Sequence, residues 1–150
     1  MADRYSTDGS QNPVASPGIT IVSLNGVTTT RGKVYDFTIG SSDTPADVAL
    51  EYVAQRFTVS GTGTPETPRP LDLDAPAALI TAESNHTIEP TYTADLILWR
   101  IVANQRATYR WVAAPDGELM IPATADSGIG WTGIVTAASP SFIFNVHHAE

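Results

Sequence analysis

The sequence predicts an all-β fold, a β-sandwich or jelly-roll-like single domain, and two observations support this prediction. Nineteen threonines and a single lysine, Lys33, depart from the lysine- and glutamate-rich surface of helical proteins and favour strands. Short apolar runs also recur between turns that are rich in glycine, proline and threonine. At 150 residues the chain fits one domain, and such a domain buries roughly 70% of its unfolded surface without a metal or disulfide.

The polar N-terminus is expected to lie outside this domain. Residues 1–18 contain Pro13 and Pro17 and show no hydrophobic period. They predict an arm that is either flexible or ordered by a partner. We therefore divide the chain into this extended N-terminal arm and a β-sandwich domain over residues 19–150.

The first strands of the domain are predicted from their apolar patterns. Residues 19–24 (ITIVSL) form a β-rich run, and residues 34–40 (VYDFTIG) alternate as a half-buried strand does. Residues 52–59 are rich in tyrosine, valine, phenylalanine and threonine, which favours a third strand.

One or two short helical segments are expected beside these strands. Pro45 favours a single helical turn at residues 45–47, and Asp74 is suited to cap a short helix over residues 74–83. The proline-rich stretch 61–74 predicts a loop that cannot lie inside a sheet.

Residues 98–112 (LWRIVANQRATYRWV) predict a β-hairpin. A three-residue loop at 103–105 places Trp99 and Trp111 together on the core face and the arginines on the other face. A two-residue loop would instead mix arginine with tryptophan, so we favour the first register.

The remaining segments alternate between strands and loops. Residues 118–123 predict a short strand that Pro122 ends or places at an edge, and residues 124–133 predict a glycine-rich loop. Residues 134–138 are a possible strand, and residues 142–148 predict a terminal strand.

Three arginines, Arg100, Arg106 and Arg110, stand together in a chain with 16 acidic and 8 basic residues. Like charges in adjacent strands repel, so the cluster is not expected to stabilise the hairpin itself. Two interpretations remain open. One pairs the arginines with acids of the same chain, for which the candidates are Asp95, Glu118 and Asp126. The other is a contact with another subunit or a partner shell, because arginine is enriched at interfaces and binds carboxylates with two hydrogen bonds.

The composition argues against several classes of partner. A net charge of −8 opposes binding to phosphate backbones, so nucleic acid is not expected as a partner. We also expect no membrane contact and no secretory signal, because no apolar run has the required length. Synthesis in a cytoplasm agrees with the absence of cysteine.

No residue pattern predicts catalysis, a metal or a cofactor. His147 and His148 are neighbours in a predicted strand, so their rings should point to opposite faces and not share an ion. No serine lies in a nucleophile-elbow motif, and we expect no enzyme. Trp131, in the predicted glycine-rich loop, is the one tryptophan expected to be exposed, and it is the candidate platform for a sugar.

Residues 85–130, from NHTIEPTYTADLILWR to ATADSGIG, resemble small proteins encoded among the structural genes of tailed bacteriophages. The upstream segments PADVALEYVAQRFT and GTGTPETPRPLDLDAPAALITA are similar to those proteins as well, so the resemblance covers about residues 45 to 130. It includes neither the N-terminal arm nor the last strand.

The resemblance implies a virion structural protein without catalytic residues. In particular, it implies a capsid decoration or cement protein on the head shell. The implied partners are the major capsid protein and copies of the chain itself, often as a homotrimer. The alternative is a carbohydrate- or receptor-binding module of a phage tail or head fibre. Arg100, Arg106 and Arg110 are the candidate contact residues for the first function, and Trp131 is the candidate for the second.

Overall fold

The structure, a computed structural model, describes residues 2–11, 19–134 and 141–150, and the regular elements in these ranges are all β-strands. In chain order the strands are β1 (Arg4–Gln11), β2 (Ile19–Asn25), β3 (Gly32–Ser41), β4 (Ala49–Val59), β5 (Thr62–Glu66), β6 (Arg69–Pro70), β7 (Thr81–Ile88), β8 (Thr91–Asn104), β9 (Tyr109–Val112), β10 (Leu119–Ile121), β11 (Gly128–Ile134) and β12 (Phe142–Ala149). In this part of the chain no helix is long and apolar enough to cross a membrane.

The strands form two antiparallel sheets, and the prediction of an all-β sandwich is confirmed. Sheet A has the order β10-β3-β12-β1-β6, and β9 also pairs with β3. Sheet B has the order β5-β7-β2-β11-β4-β8. Each sheet sends one row of side chains into a shared core, which is the arrangement expected of a sandwich.

The centre of the core is aromatic. Phe37 on β3 contacts Trp99, Trp111, Trp131 and Phe144, with ring centroids 4.9 to 6.2 Å apart. These rings come from both sheets, so they join the two layers. The prediction that Trp99 and Trp111 face the core is therefore confirmed, although both indoles are only half-buried.

The expected N-terminal arm over residues 1–18 is wrong for residues 4–11. These residues form β1, which lies inside sheet A between β12 and β6. Tyr5 and Thr7 point into the core, and Gly9 lies against Val22 of sheet B. The polar composition conceals the inward row because Tyr5 is its one large apolar side chain, beside Thr7, Gly9 and Gln11. Residues 12–18 lie outside the described residues.

The predicted hairpin at residues 98–112 is also wrong. β8 pairs with β4 in sheet B, whereas β9 pairs with β3 in sheet A. The chain therefore crosses from one sheet to the other between the two strands. The hairpin prediction rested on Trp99 and Trp111 facing the same core. A crossover between the two sheets places both tryptophans in the core as well as a hairpin does, so the pattern cannot separate the two arrangements.

The predicted short helices at residues 45–47 and 74–83 are absent. Residues 45–47 are irregular, and residues 74–80 are irregular as well, before β7 begins at Thr81. Asp72 instead closes a turn by accepting a hydrogen bond from the Asp74 amide at 3.1 Å. The stretch 61–74 is not wholly a loop, because it supplies β5 and β6. Both lie at sheet edges, where proline is tolerated.

Residues 128–134, predicted in large part as a glycine-rich loop, form β11, an interior strand of sheet B between β2 and β4. The glycines leave room for aromatic side chains on the outer side of the sheet. A Cβ at Gly128 would stand 2.6 Å from Cζ of Phe57, and one at Gly130 would overlap the Tyr92 hydroxyl. The strands β2, β3, β4, β10 and β12 agree with the predicted runs. The possible strand at residues 134–138 lies almost entirely outside the described residues.

Candidate interaction surfaces

Arg100 lies on the outer face of sheet B and is paired within its own chain. Its neighbour Trp99 faces the core, so Arg100 must point outward. Its Nε lies 2.7 Å from Oε1 of Glu51 on β4. The arginine side chain is nevertheless 55% exposed.

Arg110 lies on the outer face of sheet A. Its Nε and one terminal nitrogen donate to the two carboxylate oxygens of Asp36 at 3.0 and 2.5 Å. This two-pronged hydrogen bond lowers the pKa of Asp36, and burial of the carboxylate opposes the shift. His147 stands 3.6 Å from the same carboxylate. The pair holds edge strand β9 to β3.

The three arginines do not form one patch. Arg100 and Arg110 point outward from different sheets, which places them on opposite faces of the sandwich. Arg106 lies between them in the crossover, where its Nε donates to the Pro45 carbonyl at 3.3 Å. The acids expected as partners, Asp95, Glu118 and Asp126, are not the ones used; Glu51 and Asp36 are.

Trp131 cannot serve as an exposed sugar platform. Its side chain is fully buried in the core, 5.8 Å from the ring of Phe37. This prediction fails because the segment that carries Trp131 is an interior strand and not a loop.

One buried polar cluster resembles a catalytic triad in composition only. Nε2 of His86 is 3.2 Å from Oγ of Ser23 and 3.7 Å from Oε2 of Glu83. A proton relay needs the acid on the other ring nitrogen, and among the described residues no carboxylate is hydrogen-bonded to Nδ1 of His86. Burial also lowers the pKa of His86. The cluster is therefore not arranged for nucleophilic catalysis.

The C-terminal histidines point to opposite sides, as predicted. His148 is buried and stacks on Tyr5 at 5.3 Å, whereas His147 lies beside Asp36 on the outer face of sheet A. Within the ranges that the structure describes, no group of three or more histidine, aspartate and glutamate side chains is placed to hold a metal ion.

The first exposed apolar surface is the edge of sheet B. β8 is the last strand of this sheet, and β4 is its strand partner among the described residues. Residues 99–104 pair with Ala49–Ala54 without a register shift, while the earlier half of β8 is irregular. Val102 is 63% exposed, and Leu96 and Ile97 are exposed as well. We call residues 98–104 the β8 edge.

The second exposed apolar surface is the connection between β6 and β7. Leu73 is 98% exposed, and Leu71 and Leu79 are more than half exposed. Asp72 and Asp74 flank the projecting Leu73. We call residues 71–79 the leucine loop.

The leucine loop is held at both ends by hydrogen bonds. The Leu71 amide donates to the Arg4 carbonyl at 2.8 Å. At the other end, the carboxylate of Glu150 accepts from the amides of Leu79 and Ile80, at 2.9 Å each. Leu73 is thus presented from an anchored loop.

Neither surface was identified from the sequence. The predicted hairpin would pair the β8 edge with a neighbouring strand. The predicted loop and short helix do not distinguish Leu71, Leu73 and Leu79 as exposed. A usable signal was present in both places: residues 98–104 contain no proline or lysine, the residues that usually protect an edge, and Asp72 favours a turn.

Comparisons of this chain with protein-family models, with curated proteins and with solved structures found no match.

Proposed function

We propose that this chain is a structural protein of a tailed-bacteriophage virion. In this proposal it is a capsid decoration or cement protein that binds the head shell and copies of itself on the capsid surface. It is made in the host cytoplasm and performs no catalysis. The observation that carries the proposal is the pair of separate apolar surfaces, the β8 edge and the leucine loop, because exposed apolar surface of this kind marks sites of protein contact.

The two surfaces suit two kinds of contact. A leucine that projects from an anchored loop fills a pocket on a partner at little entropic cost, because the loop needs no ordering. Its acidic flanks, Asp72 and Asp74, favour a partner pocket with a basic rim. We assign the leucine loop to the shell, built from the major capsid protein.

The β8 edge is assigned to contacts between copies of the chain. Arg100 lies on this edge and Arg106 follows it in the crossover, and we assign both to that contact. Arg110 lies on the opposite face, where its pairing with Asp36 serves to hold β9 in sheet A. The three arginines therefore divide between two roles.

The alternative, a carbohydrate- or receptor-binding module, loses the residue on which it depended. Trp131 is buried, and no other observation in the described residues favours sugar binding over protein contact.

Co-sedimentation with shells assembled from the major capsid protein of the same phage tests the proposal. We expect the wild-type chain to sediment with the shells and Leu73→Ser to bind at least about tenfold more weakly, a loss of about 1.4 kcal/mol. Ile143→Ser, which changes an exposed apolar residue of β12 outside both surfaces, is the matched control and should bind normally. A wild-type chain that stays in the supernatant at low and high salt would refute the proposal.

A further inference from the structure

We propose that two copies of this chain pair through their β8 edges, antiparallel and related by a two-fold axis, so that the two B sheets join into one. The inference rests on the proposed function and deepens it, because it names the partner of the β8 edge as a second copy of the chain. It also predicts a two-fold pair where the resemblance implies a trimer.

The backbone of the β8 edge is prepared for pairing. β8 ends sheet B, so the outward N–H and C=O groups of residues 98–104 have no strand partner among the described residues. Natural edges are blocked by charged side chains, above all lysine, by proline or by bulges. Asp95, with φ of 62°, disrupts the first half of the strand, but residues 99–104 are regular and contain no lysine or proline, and their one charge, Arg100, is paired with Glu51. The regular half is therefore a template for another strand.

Charge favours a second copy at this place. Two chains of net charge −8 repel over most of their surfaces. The β8 edge contains a single ionisable residue, the cation Arg100, so repulsion between copies is smallest there. The cation also attracts the acidic surface of another copy.

The regular length of the edge and its charge together select a register. Ile101 is the central residue of 98–104, and an axis at Ile101 sets Arg100 opposite Val102 of the partner subunit. An axis at Arg100 would instead oppose two arginines, which is unfavourable. In the chosen register, the strand next to Val102 of the partner subunit carries the partner's Glu51, since Glu51 and Val102 are paired neighbours. Arg100 can then reach a second carboxylate with its terminal nitrogens.

The mass of the wild-type protein and of two lysine variants tests the pairing. By light scattering during gel filtration, we expect twice the chain mass of 15.9 kDa at high concentration. Val102→Lys should raise the dissociation constant at least about tenfold, because it buries a charge at the contact. Val112→Lys is the matched control, since Val112 is 58% exposed on edge strand β9 of the other sheet, and it should leave the mass unchanged. A monomeric or trimeric wild type, or equal effects of the two variants, would overturn the proposal.

Cysteine cross-linking tests the register, and the chain offers a clean background because it has no cysteine. Directly opposed residues of antiparallel strands have Cβ atoms about 4.5–5.5 Å apart, close enough for a disulfide after small adjustment. Arg100→Cys and Val102→Cys chains should cross-link when mixed, and each alone should not. Efficient cross-linking of Val102→Cys with itself would show another register and contradict this one.

The failure of this inference differs from the failure of the proposed function. If the copies do not pair but the wild-type chain still sediments with shells, only the β8 pairing is refuted. If the copies pair but the wild-type chain does not sediment with shells, the pairing stands and the virion role is refuted.

Discussion

Strands β8 and β11 belong to the same sheet with only β4 between them, yet β8, which has the more apolar sequence, is the less buried of the two. β11 (GIGWTGI) is nearly half glycine and is buried along almost its whole length. β8 contains the run LILWRIVA and leaves much of it half-buried or exposed. The comparison teaches that the position of a strand in its sheet, more than its apolar content, decides how much of it is buried.

The difference has a physical cause on the outer side of the sheet. Phe57 and Tyr92 lie over Gly128 and Gly130 and cover β11, while Trp131 fills the core on its inner side. β8 has no strand beyond it in the described residues, so its outer side chains and one row of backbone groups face solvent. The side chains of β11 therefore stabilise the fold, and the outer edge of β8 is available for a contact.

Shortening a tryptophan on each strand should produce the largest effect. Trp131→Ala removes a fully buried indole and should lower the free energy of unfolding by about 3–5 kcal/mol. Trp99→Ala, at the half-buried edge, should lower it by clearly less. Urea titration of both variants checks the order, and an equal or larger loss at Trp99 would contradict the assigned difference in burial.

Adding a methyl group to β11 should have the next largest effect. Gly130→Ala should lower the free energy of unfolding by about 1–3 kcal/mol, because the new Cβ would overlap the Tyr92 hydroxyl. Tyr92→Phe removes that hydroxyl, so in the double variant the loss should be smaller than the sum of the single losses. Gly40→Ala is the control: its Cβ would meet Oγ1 of Thr108 at an ordinary 3.7 Å. Additive losses would show that Tyr92 does not cover Gly130.

Mild acid should lower the free energy of unfolding through the buried histidines and leave the β8 edge unchanged. This should be the smallest of the three predicted effects. Burial lowers the pKa of His86 and of His148 in the folded chain. The unfolded chain then binds more protons below its histidine pKa of about 6.5. Stability should be complete above this pH and decline as the pH falls below it.

Urea midpoints measured between pH 7 and pH 5 check this sign. The double variant His86→Asn, His148→Asn should show a flatter profile than the wild type, whatever its absolute stability. A wild-type midpoint that stays constant or rises on acidification would contradict it. The dimer contact should not respond directly over this range, since the β8 edge contains no histidine.

Much of the fold was predictable, and the interaction surfaces were not. The runs at residues 19–24 and 34–40 predict β2 and β3 because strand propensity and alternation are local properties of the sequence. Whether β9 would pair with β8 or cross to β3 depends on contacts between distant residues, and both arrangements satisfy the pattern around Trp99 and Trp111. Gly130 of β11 makes room for Tyr92. In the sequence alone it cannot be distinguished from a loop glycine, because the sequence does not show which strand lies beside it.

Hydrogen–deuterium exchange of β8 and β11 in the same sample, at low and at high protein concentration, tests the central claim most directly. Backbone amides exchange slowly when they are hydrogen-bonded and shielded from water. We predict that the outward amides of residues 98–104 exchange rapidly in dilute protein and slowly in concentrated protein, while β11 is protected equally in both. Exchange in β8 that is independent of concentration would show that its edge meets no second copy, and would contradict the assignment of this strand to a contact.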